Sequence, residues 1–282
     1  MYAADGNSFE QKCPGAQGAR AGGRRGRAGG LGLFGVLAIL ALGYFTGIDV
    51  TPLLTGDPVA TSQSQETVQQ DDETVVFASK VLTTTEEVWA GIFENQAGQR
   101  YTPPQLVIFS GVTQSACGGA SGATGPFYCP ADRMAYLDTQ FFRQLDRQLG
   151  AGGDFAAAYV IAHEVAHHVQ NELGILPQVS RLRAGATKEQ SNALTVRLEL
   201  QADCLSGVWA RSVRGLMERG DLAEALNAAR MIGDDHLQRQ AGRIPQPHTF
   251  THGTSDQRAR WFERGFDSGM IADCDTFSAR RL

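Results

Sequence analysis

Apolar and polar positions alternate along this chain in three regimes. From residue 28 to 48, "AGGLGLFGVLAILALGYFTGI" carries no charge at all. That is about the length a helix needs to cross a bilayer. From residue 50 to 72 the pattern dissolves into Thr, Ser, Gln and Pro, which predicts a linker. Beyond residue 71 the apolar positions recur at helical and strand periods. Val75, Val76, Val81, Leu82, Val88, Trp89, Ile92 and Phe93 predict a helix, with a break at the threonine run 83–85. "QLVIF" and "RMAYLD" predict two buried strands, Leu106–Phe109 being the first. "TQFFRQLDRQLG" is an amphipathic helix closed by Gly150. Residues 154–174 form an almost wholly apolar helix, with Asp154 as N-cap and Gly174 beyond its end. Further helices start near Glu189, at Asp221 and at Ser255 or Asp256. The expected fold class is therefore α+β, mainly helical with a small sheet, preceded by one transmembrane helix. Four segments follow: a disordered tail over residues 1–28, an anchor over 29–48, a linker over 49–70 and one domain over 71–282.

Composition sharpens this picture where it is uneven. At 282 residues and 42% apolar content the chain can bury one sizeable core. A net charge of −5 argues against nucleic acid as a partner. The first 27 residues are nonetheless basic, with Lys12, Arg20, Arg24, Arg25 and Arg27 embedded in Gly and Ala. Such a tract cannot bury a core. An arginine-rich tract can also bind RNA, but its place beside the apolar run makes it a topology signal. Positive residues stay in the cytoplasm, so the domain is expected in the periplasm of a single-pass inner-membrane protein. A cleaved signal peptide is the rival, and no Ala-x-Ala site ends the apolar run.

Cysteine usage agrees with export. Cys13 stays inside, while Cys117, Cys129, Cys204 and Cys274 lie on the far side. Four cysteines allow three pairings. Cys117–Cys129, a short loop closure, and Cys204–Cys274, a tie for the C-terminus, are the expected set. A cysteine zinc site competes, but no CxxC pair is present. The glycine-rich stretch "QSACGGASGATGPFYCP" lacks the lysine of a phosphate loop, so its glycines read as turn formers.

The chemistry is concentrated in "YVIAHEVAHHVQ". His163 and His167 are four residues apart, so their rings share one helix face and can reach one metal ion. Glu164 lies to the side of that pair, where a general base is needed. Three polar groups inside an apolar helix are costly without a partner. A zinc hydrolase site takes three protein ligands, and "LELQADC" offers Glu199, with Asp203 one turn on to hold the outer nitrogen of a ligating histidine, His163 being the expected one. Gln170 and Leu173 stand where a metzincin would have Gly and His. His168 faces about 100° away from His167 and reads as a packing or surface residue.

These motifs resemble the gluzincin metallopeptidases. More closely, "GPFYCPADRMAYLD", "YVIAHEVAHHVQ", "RLELQADCLSGVWA" and "THGTSDQRARWFERGF" resemble the neutral zinc metallopeptidase family of bacterial membrane-anchored proteins, over roughly residues 72–280. The resemblance implies a zincin-like domain that binds one zinc ion per chain and hydrolyses peptide bonds. It implies His252 as a donor to the oxyanion, with Arg258 orienting it or touching substrate. It also implies that the "RMAYLD" strand, with Tyr136, is the edge that receives an extended peptide. Two other functions fit the same residues: a zinc hydrolase of a non-peptide amide, and a tethered binding protein that keeps the fold without turnover. The intact Glu164 argues against the latter.

Overall fold

The computed structural model describes residues 62–121, 125–147 and 153–282. The expected tail, the expected membrane span at 29–48 and the linker up to residue 61 lie outside the described residues. Among those described, no helix is long and apolar enough to cross a membrane.

Helix α1 spans Ser62–Ile92, starting within the stretch read as linker. It runs unbroken through residues 83–85. The three threonine hydroxyls there donate back to the carbonyls of Ser79, Val81 and Leu82, so each stays within the helix instead of diverting its backbone. Trp89, buried with Ala78 and Val81, docks this helix on the core. A wide π-type turn, Phe93–Ala97, ends it at Gly98.

The strands are β1 (Gln105–Phe109), β2 (Val112–Ser115), β3 (Gly118–Ser121), β4 (Phe127–Cys129) and β5 (Met134–Asp138). β2 and β3 form an antiparallel hairpin out of the glycine-rich stretch. The other three make a sheet in the order β1-β5-β4, with β1 parallel and β4 antiparallel to β5. This corrects one expectation. The "RMAYLD" strand is the centre of the sheet, and both of its hydrogen-bonding sides are used. Alternation alone could not reveal this, because "FYC" is too short to show a period. Cys117–Cys129 ties the hairpin turn to the end of β4.

Helices α2 (Thr139–Arg147), α3 (Asp154–Glu172), α4 (Ile175–Ala184), α5 (Lys188–Ser212), α6 (Asp221–Met231), α7 (Asp234–Gln240) and α8 (Ser255–Ser268) complete the domain. The pattern "DLAEALNAARMIGDDHLQRQ", which reads as one helix from Asp221, is two helices with a break between Met231 and Asp234. The cap of α3 is Gly153, with Asp154 in its first turn. Capping boxes start α5 at Thr187 with Gln190, and α8 at Thr254 with Gln257. The architecture is α+β and mainly helical, as the periodicity predicts.

α3 is the central element. Val165, Ala166 and Val169 are fully buried, and α1, α5, α6 and the sheet pack around it. Burying a valine of this kind contributes about 1.5–3 kcal/mol, so the apolar face offsets the cost of the charged residues on the same helix. α8 lies closely against α5. A Cβ at Gly207 would land on the carbonyl oxygen of Phe262, and one at Gly265 on that of Cys204. Only glycine allows the two backbones to touch there. Cys204–Cys274 fastens the C-terminal segment to the same helix. The expected pairing of the four cysteines is thus the one present.

Candidate metal centre

α3 brings His163 and His167 onto one face, with ring centroids 4.9 Å apart. α5 brings Glu199 against both. Its carboxylate oxygens lie 3.1 Å from His163 Nε2 and 3.5 Å from His167 Nε2. One ligand atom from each of the three residues falls within 4.8 Å of the other two. Three atoms bound at ~2 Å to a tetrahedral zinc ion sit roughly 3.3 Å from one another. Two imidazoles and a carboxylate at these separations fit zinc in donor type, number and spacing.

The outer nitrogens of the two rings are held differently. His163 Nδ1 lies 2.9 Å from Asp203 Oδ1, an ion-pair contact and not an aligned hydrogen bond. Asp203 is fully buried. It accepts Tyr159 O–H at 2.6 Å and, on its two oxygens, Arg258 Nε and a terminal guanidinium nitrogen at 2.9 Å each. His167 Nδ1 lies 2.9 Å from the side-chain oxygen of Gln170.

The charges follow from these neighbours. Burial pushes the Asp203 carboxyl up, but Arg258 and His163 outweigh it and hold it below the ordinary aspartate value. Burial likewise opposes ionisation of Glu199, and the two histidines overcome it, holding Glu199 well below its usual range. Burial would push His163 down. Asp203 and Glu199 reverse that and raise it to about 9. His167 is raised for the same reason, by Glu199. Glu164 moves the other way for a carboxyl: burial raises it, with the two histidines opposing.

A cavity of about 550 Å³ opens at this cluster. Glu164, His163, His167 and Glu199 reach it from the helices. Phe127 and Tyr128 of β4 form part of its wall. His252 stands at the same cavity, half-exposed, with its Nδ1 3.3 Å from Asp234 Oδ1. Asp234 Oδ2 also accepts the backbone N–H groups of Thr251, His252 and Gly253. Burial would raise Asp234, but the His252 side chain, with the backbone N–H groups of His252 and Gly253, holds it below its ordinary value.

The structure therefore gathers His163, Glu164, His167, Glu199, Asp203 and His252 in one place. One expected substrate contact is corrected. Tyr136 is buried, stacks on Phe127 and donates its hydroxyl to Asp132, away from the cavity. Arg258 also lines the cavity, buried, with its guanidinium on Asp203 and Tyr159, while the side chain bonded to His252 is Asp234. His168 is fully buried. Its Nε2 lies 2.6 Å from the Thr102 carbonyl, and its Nδ1 is 3.0 Å from the Tyr128 hydroxyl. Sequence reasoning missed Tyr159, Gln170 and Asp234. Tyr159 and Gln170 are signalled only by their place on the buried helix, and Asp234 by acidic residues at a helix start, a common pattern.

Comparison with known proteins agrees with this geometry. The family described as "Putative neutral zinc metallopeptidase" matches residues 4–277, reaching further toward the N-terminus than the motifs do. The chain is 51% identical over 238 residues to uncharacterized protein YpfJ of Escherichia coli K12, covering 83% of this chain and 82% of that one. It is 44% identical over 195 residues to uncharacterized protein Rv2575 of Mycobacterium tuberculosis H37Rv, covering 64% and 65%. No solved structure matches. With a two-histidine, one-glutamate cluster on the predicted helices and a family match over nearly its whole length, the chain belongs to the putative neutral zinc metallopeptidase family.

Proposed function

We propose that this protein is a membrane-anchored zinc endopeptidase. The observation that carries the proposal is the convergence of His163, His167 and Glu199 at zinc spacing, beside a buried Glu164, on one cavity. Those three residues would hold the zinc ion, which would supply Lewis-acid chemistry toward a carbonyl and a water. Glu164 takes the proton from the attacking water and passes it to the leaving amine. Burial raises its pKa, the direction that suits a carboxylate that must take up a proton. Asp203 holds the His163 ring by its outer nitrogen. His252, oriented by Asp234, donates to the oxygen that becomes negative. The extended substrate adds to β4, the sheet edge that lines the cavity, in place of the central strand first expected. Backbone pairing of that kind implies loose sequence preference.

The test is digestion of a peptide library by the zinc-loaded chain beside Glu164→Gln. The variant should keep its zinc and lose roughly 10²–10⁴-fold in rate. Wild-type zinc loading without cleavage of any peptide would instead favour the silent binding protein or the non-peptide amidohydrolase.

The anchor is proposed as residues 29–48, with the N-terminus cytoplasmic and the domain periplasmic. Two disulfides in the domain support an oxidising compartment. Protease added to intact spheroplasts should digest the domain while it stays with the membrane fraction. A protected domain would contradict this topology.

A further inference from the structure

Behind His167 lies a chain of buried amides that the peptidase reading does not require. Gln170 is fully buried, and Gln201 nearly so. Gln170 Nε2 lies 2.7 Å from the backbone oxygen of Leu198 and 3.0 Å from Gln201 Oε1. Gln201 Nε2 lies 3.1 Å from the backbone oxygen of Cys274. A carbonyl oxygen can only accept, so the amide atom that faces each of these two backbone groups must be the nitrogen. That requirement fixes the direction of both amides. Gln201 must turn its oxygen to Gln170, and Gln170 must turn its oxygen to His167 Nδ1, 2.9 Å away. An amide oxygen accepts only, so His167 must carry its proton on Nδ1. In the neutral ring its Nε2, the atom facing Glu199, is then left with a free lone pair.

We propose that Gln170 is a positioning residue for His167, and that Gln201 acts through it. Together they hold the ring in the tautomer that can ligate a cation through Nε2. The two backbone carbonyls that set the direction belong to α5 and to the C-terminal segment. Cys274, at the far end, is bonded to Cys204 of α5. The orientation of a ligand on α3 is thereby specified from elsewhere in the fold. This inference rests on the reading of His167 as a zinc ligand.

The experiment compares wild type with Gln170→Met, Gln201→Met and the double variant. Methionine keeps the volume and removes the amide. Three quantities are read: zinc Kd by competition with a chromophoric chelator, thermal melting, and the His167 tautomer from ¹⁵N shifts of the metal-free chain at a pH where the ring is neutral. Gln170→Met should bind zinc about 10–100-fold more weakly. It should also lose the single-tautomer signature while melting cooperatively. Gln201→Met should show a smaller loss, and the double variant no more than Gln170→Met alone. A Gln170→Met protein that melts at a lower temperature but keeps the wild-type Kd and tautomer would make the amides purely structural and overturn the inference. If Gln170→Met does not fold, Gln201→Met decides by the same readouts. Wild type that takes up no zinc would sink the zinc reading instead, and the tautomer of the metal-free chain would still judge Gln170.

Discussion

His163 is a residue with a carboxylate at each nitrogen, Glu199 at Nε2 and Asp203 at Nδ1. That arrangement favours the doubly protonated ring, which is why its pKa rises to about 9 against burial. A zinc ligand must give up the proton on Nε2. The sign follows directly. At neutral pH His163 is protonated, so zinc binding releases that proton, and affinity should fall as pH falls from about 9 and not only below the ordinary histidine value. Glu199 and Asp203, held ionised, release none. Titration calorimetry at pH 7 in two buffers of different ionisation enthalpy should show at least one proton released per zinc. Heats independent of buffer would contradict the assignment. The Asp203–Arg258 pair supplies the other half of this balance. Losing one member of a buried pair costs about 3–5 kcal/mol, so removing Arg258 should destabilise the fold through Asp203.

At the scale of elements, the site depends on how closely α8 approaches α5. Arg258 on α8 reaches Asp203 on α5 because Gly207 and Gly265 let the two helices meet backbone to backbone. A methyl group at either position must push the helices apart. Gly265→Ala should therefore lower stability by about 1–3 kcal/mol, read from denaturant midpoints, and should weaken zinc binding as well. An alanine variant with wild-type stability would mean that the crossing is not close-packed. The strands have a similar lesson. β4 contributes only Phe127–Cys129, yet it is the strand that meets the cavity. Tyr128 is joined there to His168, the residue next to a proposed ligand. The sheet edge and the ligand helix are thus fastened to each other directly.

For the whole molecule, the sequence made the helices legible because a long apolar face repeats at the helical period. α3, α5 and α8 stand nearly where the pattern puts them. The cluster was legible for the same reason: spacing of four on a helix forces His163 and His167 together, and Glu199 and Asp203 likewise. The strand order was not legible, because pairing is decided between segments and not within one. Tyr136 was misplaced for a related reason. A polar residue in an apolar setting announces that it has a partner, but not whether that partner is substrate or protein. Gln170 and Gln201 were invisible because an uncharged amide carries no signal until its neighbours are known.

The most direct test of the account is the metal content of the purified domain beside Glu199→Ala, each measured by mass spectrometry after exposure to zinc and gel filtration. About one zinc per wild-type chain, lost in the variant, is the result the three-ligand site predicts. A folded wild-type protein that retains no zinc, or a variant that retains all of it, would contradict it.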